Sequence, residues 1–195
     1  MGRRIGYKER ILGKMKDRHA LAEHFRDLGF TKGAEIGVAS GYYSEILCKI
    51  NPKLHLYCVD PWLKYYDYKD FANPGTFISM EEKAKKILSK YNTTIIKKFS
   101  IDAAKEFKTG QLDFVFIDAN HAYKYVLEDI ALWTPKVRKG GIVSGHDYYK
   151  TKAGNVGVIQ AVNEYVKKHG YKLKLTRWAH GVPKDDRQPC WYFYK

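Results

Sequence analysis

The chain has 195 residues, 45% of them hydrophobic, and a formal net charge of +14; it is long enough to bury the core of a single domain and too apolar for a disordered chain. No apolar stretch approaches the roughly 18 residues of a membrane span, and MGRRIGYKER lacks the apolar segment of a secretory signal, which points to a cytoplasmic protein with no membrane partner. Cys48, Cys58 and Cys190 have no paired spacing, which argues against a disulfide framework or a zinc site.

The positive charge steers anionic partners, whether nucleic acid, phosphorylated metabolites or an acidic sugar, but the lysines are scattered over helix faces and loop ends and read as a solvated surface. Residues 1–14 read as a loose basic arm. From Lys16 to Leu28 the apolar Leu21, Ala22, Phe25 and Leu28 fall at helical spacing, and Gly29 stops the helix. The stretch Ala34 to Tyr43, AEIGVASGYY, then reads as a buried strand, a glycine-bearing turn and the start of a helix over Tyr42 to Ile50. Glycines in such a turn let the backbone approach a ligand closely, and the N–H groups at the helix start favour a polar one.

The next apolar run, His55 to Asp60, ends in an acid roughly 20 residues after the glycine turn, the spacing of a ribose-binding carboxylate. Residues 61–80 form a long segment with Trp62 and the cluster Tyr65, Tyr66 and Tyr68, suited to a lid or substrate loop. Glu81 to Tyr91 reads as an amphipathic helix, Thr93 to Phe99 as a β-branched strand, and Ser100 to Ala104 as the turn into a short helix. Leu112 to Asp118, LDFVFID, has the pattern of a central strand buried on both faces. A helix over Tyr123 to Trp133 ends at Pro135, and Gly140 and Gly141 turn the chain into a strand over Ile142 to Ser144, followed by Gly145, His146 and Asp147. A helix over Val158 to Lys168 and two strands, about Lys172 to Trp178 and Cys190 to Tyr194, complete the chain.

Strands alternating with helices imply an α/β domain: a Rossmann-like, seven-stranded, mostly parallel sheet with helices on both faces, in which ligands sit at the carboxyl ends of the strands. Glu35, Asp60, Asp102, Asp118 and the pair His146–Asp147 come from five successive strand ends.

The motifs EIGVASG (35–41), CVDPW (58–62), SIDAA (100–104) and FIDANHAY (116–123) resemble the class I S-adenosylmethionine-dependent methyltransferases, nearest the small-molecule and sugar O-methyltransferases that carry Asp-x-x-His after the fourth strand and His-Asp after the fifth. The resemblance implies that Glu35, Gly37 and Gly41 hold the methionine part of S-adenosyl-L-methionine, with Ser40 in the same turn. It gives the ribose to Asp60, the adenine edge to Ser100 and Asp102, and a further contact to Asp118. Asp118, His121 and His146 are the candidates for catalysis. A general-base role for either histidine and a divalent metal, Mg or Mn, held by Asp118, His146 and Asp147 are both open. A small-molecule or sugar-like hydroxyl acceptor fits this branch, and an anionic one suits the positive charge. An RNA ribose methyltransferase and a non-catalytic cofactor-binding domain are the alternatives. A nicotinamide dinucleotide fits less well, because Ala39 stands where Gly-x-Gly-x-x-Gly requires its second glycine.

Overall fold

The computed structural model describes residues 15–63, 74–150, 156–180 and 187–195. The N-terminal arm, the tyrosine cluster at 65, 66 and 68, and most of the expected lid lie outside them. In chain order the elements are α1 (Arg18–Asp27), β1 (Lys32–Ile36), α2 (Tyr42–Ile50), β2 (His55–Val59), α3 (Pro74–Leu88), β3 (Thr93–Ile96) and α4 (Ser100–Ala103). There follow β4 (Leu112–Ile117), α5 (Tyr123–Trp133), β5 (Val137–Gly145), α6 (Gly157–His169), β6 (Lys174–Leu175) and β7 (Trp191–Tyr194).

Among the described residues seven strands form one sheet in the order β3-β2-β1-β4-β5-β7-β6. The pairs from β3 through β5 are parallel. β7 alone runs against them, inserted between β5 and β6. The order of connection reverses between β1 and β4, so their carboxyl ends diverge into a crevice. Apolar side chains on the two faces of the sheet make two cores. One joins Leu21, Phe25, Leu47, Leu56 and Phe114 under α1, α2 and α3. The other joins Val115, Ile130, Trp133, Val162 and Phe193 under α5 and α6. Both faces of β4 are therefore covered, as its continuous apolar run LDFVFI requires.

Several boundaries differ from the sequence reading: β3 stops at Ile96 short of Phe99, β6 is only Lys174–Leu175, α3 stops at Leu88, and two elements start earlier than expected. α3 begins at Pro74, inside the segment assigned to the lid, because proline at the first turn of a helix lacks only an N–H that would have no intrahelical acceptor. β5 begins at Val137, and Gly140 and Gly141 lie inside it: they accommodate an irregularity in the β4–β5 register between Leu112 and Phe114 instead of a turn before the strand.

Candidate active site at the carboxyl ends of β1 and β4

The crevice is a cleft with an empty volume of about 570 Å³. Its floor is Gly37. A Cβ there would stand 2.2 Å from the carbonyl oxygen of Asp118, and the residue has φ +91°, so β1 can close on β4 at this point only with glycine. Ile36, Val59, Trp62, Phe77 and Met80 supply apolar walls, and Asp60, Lys98, Ser100, Asp118 and Asn120 the polar ones.

Asp60 shapes the turn from within. Its Oδ2 accepts the backbone N–H groups of Val38 and Ala39, each at 2.9 Å, and its Oδ1 accepts that of Trp62 at 2.7 Å. Burial raises its pKa and these three bonds oppose the rise, leaving it above the ordinary value. Since a carboxylate offers about four lone-pair positions, Asp60 keeps about one for a ligand in the cleft. The N–H groups of Val38 and Ala39 in this turn are thus spent on Asp60.

Other expected binding residues stand elsewhere. Glu35 is 2% exposed, does not line the cleft, and accepts a hydrogen bond from the Ser44 hydroxyl. Burial pushes its carboxyl up to about 8 against that bond, which makes it a buried neutral acid at pH 7. Gly41 starts α2, where a Cβ would meet Cα of Ala84 at 3.1 Å; its smallness serves the contact between α2 and α3. Ser40 does not line the cleft. Asp102 is exposed and paired with Lys105 at 2.7 Å; it does not line the cleft but borders an adjoining concavity that shares Pro61, Leu63 and Lys98 with it. Ser100 does border the cleft, and its hydroxyl donates to Asp129 and accepts from Trp133 Nε1 at 2.8 Å.

At one end of the cleft stand the groups expected to carry chemistry. His121 Nε2 lies 3.4 Å from Asp118 Oδ1 and 3.2 Å from Asp147 Oδ2. His146 Nδ1 lies 3.2 Å from Asp147 Oδ1 and 3.7 Å from Asp118 Oδ2. Each imidazole therefore reaches both carboxylates, through different oxygens. The His121 side chain is 36% exposed and that of His146 is 3% exposed. Burial pushes Asp118 up, but the charges of His146 and His121 and the bond to His121 outweigh it, and the carboxyl sits below its ordinary range. One atom each from Asp118, His121 and Asp147 lie within 4.8 Å of one another, a spacing that could hold a cation. The structure thus groups His121, rather than the buried His146, with the two aspartates in the spacing that could hold a cation.

Three contributors escaped the sequence reading: Phe77 and Met80 on the unforeseen first half of α3, and Asp129 on α5. The signal for Asp129 was present, an acid among Val126, Ile130 and Trp133 on the inward face of a helix.

Residues 34–148 match the model of a family described as "Methyltransferase domain". No curated protein matches the chain in sequence. Among solved structures it resembles an O-methyltransferase from Bacillus cereus in complex with SAH, at 12% identity and a TM-score of 0.65 over 96% of this chain and 86% of that one. It also resembles the O-methyltransferase TomG from Streptomyces achromogenes, involved in tomaymycin synthesis and in complex with SAM, at 16% identity and a TM-score of 0.62 over 91% and 79%. A precorrin-6y C5,15-methyltransferase from Geobacter metallireducens is similar as well, at 15% identity and a TM-score of 0.60 over 100% and 92%. These likenesses show the fold.

Proposed function

The chain belongs to the methyltransferase-domain family, and from that premise we propose that it transfers a methyl group from S-adenosylmethionine to a hydroxyl of a small acceptor. The observation that carries this reading is the cleft between β1 and β4 with the Asp118–His121–Asp147 cluster at one end. The residues fit the cofactor. Glycine at 37 lets β1 close on β4 beneath the cleft, Asp60 retains a lone pair for a ribose hydroxyl, and Trp62, Phe77 and Met80 offer apolar surface to a base. When bound, the cofactor supplies a methyl group on a positively charged sulfur, ready for in-line attack.

The chain's own part is to hold an acceptor hydroxyl and to take its proton. His121 is the better placed base: it is about a third exposed, and the two carboxylates beside it stabilise the imidazolium that forms when the proton arrives. His146 is buried and aims Nδ1 at the same two carboxylates, which suits it to orient them. In a second reading, favoured by the spacing of the three ligand atoms, Asp118, His121 and Asp147 hold a divalent cation. Two carboxylates and an imidazole suit Mn²⁺, Fe²⁺ or Zn²⁺ better than Mg²⁺. Such a cation would lower the pKa of the acceptor hydroxyl.

Calorimetry with S-adenosylmethionine, followed by a screen of small hydroxylated acceptors with and without EDTA, tests the proposal. Wild type should bind the cofactor, and His121→Ala should bind it with similar affinity while losing transfer by about 100-fold or more. Loss of transfer on EDTA treatment, restored by Mn²⁺, would favour the metal reading. A folded wild type that does not bind the cofactor would sink both.

A further inference from the structure

The hydroxyl of Ser100 is held between two buried groups on α5. It donates to Oδ1 of Asp129 and accepts from Nε1 of Trp133 at 2.8 Å. Asp129 is 5% exposed and Trp133 fully buried, behind the wall of the cleft that Ser100 borders. A hydroxyl has one proton to donate and two lone pairs. With Asp129 ionised, its carboxylate takes the proton and Trp133 occupies one lone pair, so a ligand group reaching this hydroxyl from the cleft would meet one that can only accept. Asp102, the acid that the resemblance gives to the adenine edge, pairs with Lys105 and borders the adjoining concavity, not the cleft itself. No carboxylate from the loop after β3 takes its place among the residues lining the cleft.

We propose that Asp129 and Trp133 are positioning residues that make Ser100 an obligate hydrogen-bond acceptor, so that the cleft selects a nucleobase presenting an amino group there over one presenting a carbonyl. The inference rests on reading the cleft as the site of the cofactor's nucleoside. An amino group supplies the proton that the remaining lone pair of Ser100 lacks. A carbonyl would set lone pair against lone pair in a partly desolvated site, leaving both unsatisfied. Asp129 acts here only through Ser100. Trp133 supports it by filling the other lone pair with a donor that cannot rotate away from its buried ring.

The test is calorimetric titration of the full chain with S-adenosylhomocysteine and with its 6-oxo analogue S-inosylhomocysteine. It is run at about pH 8.5, where Asp129, pushed up to about 7 by burial, is ionised. Wild type should favour the adenosine compound by about tenfold or more. Ser100→Ala should narrow the ratio to within about threefold by weakening the adenosine compound alone. Asp129→Asn should narrow or reverse it with Ser100 intact, because the amide can donate to the hydroxyl and release its proton toward the cleft. Equal binding of the two compounds by wild type, or a preference that survives in Ser100→Ala, would overturn the inference. A preference unchanged in Asp129→Asn would remove Asp129 from it. If folded wild type binds neither compound, the cofactor reading itself fails and the inference with it. Circular dichroism of each variant separates lost discrimination from lost fold, and Ser100→Ala decides the matter if Asp129→Asn does not fold.

Discussion

Ala39, Trp62 and Asp147 are the non-glycine residues with positive φ among those described, at 48°, 45° and 56°. All three stand at the end of the sheet that holds the cleft. Each such conformation costs roughly 1–3 kcal/mol and persists only where neighbours over-determine it. For Ala39 and Trp62 the neighbour is Asp60, whose carboxylate binds both backbone N–H groups, while Trp62 Nε1 returns a bond to the Ala39 carbonyl at 2.8 Å. The acid expected to touch ribose is therefore also the clamp that holds the binding turn. Glu35 makes a sharper case for what one side chain does. The folded chain keeps its proton up to about pH 8, whereas the ordinary carboxyl releases it near 4.5. Between those two values the folded state binds more protons than the unfolded one, so this group's contribution is complete below the lower value and is lost as pH rises toward the upper one. Glu35→Gln should abolish that slope. Urea unfolding across the window should show wild type losing stability faster than the variant, by up to about 1.4 kcal/mol per pH unit. Parallel profiles would mean that Glu35 is not a neutral acid.

The sheet and the helix that roofs the cleft are set by close contacts at a few small residues. At Gly145 an added Cβ would stand 2.4 Å from the Ile117 carbonyl and 2.5 Å from the Trp191 ring, so β4, β5 and β7 meet there with no room to spare. Gly145→Ala should lower the urea midpoint by the equivalent of about 1–3 kcal/mol, the ordinary cost of overpacking, and should disturb the neighbouring His146 and Asp147. An unchanged midpoint would show that β5 yields without cost. Periodicity in the sequence found α1, α2, α5 and α6 because each has an apolar face of its own. It missed the first half of α3 because Pro74 and Gly75 carry the chemistry of a loop as well as that of a helix start. Phe77 and Met80 went unseen as wall residues for the same reason.

The molecule as a whole depends on β7. This strand fills the space between β5 and β6 and buries Trp191, Tyr192 and Phe193, which pack on both sides of the sheet. Removing residues 190–195 should therefore cost the whole fold rather than one edge, read as loss of the cooperative thermal transition in circular dichroism. A truncated chain that still melts cooperatively would show that the parallel part of the sheet suffices alone. The sequence by itself determined the alternation of strands and helices, the crevice at their carboxyl ends and the position of Asp60 and Asp118 at strand ends, because apolar periodicity and turn chemistry are local properties of the chain, whereas His121 is singled out only by the resemblance of its motif. Tertiary structure alone decided which side chains face the cleft. Asp102 and Asp129 are both acids on helices, yet one turns to solvent and the other, 27 positions on, reaches Ser100 from behind the wall. His121 and His146 look alike in the sequence and differ in burial because one sits in the loop after β4 and the other directly beyond β5, under the packed end of the sheet. Side-chain direction and burial depend on what packs against each residue from distant parts of the chain, and spacing along the sequence carries no record of that.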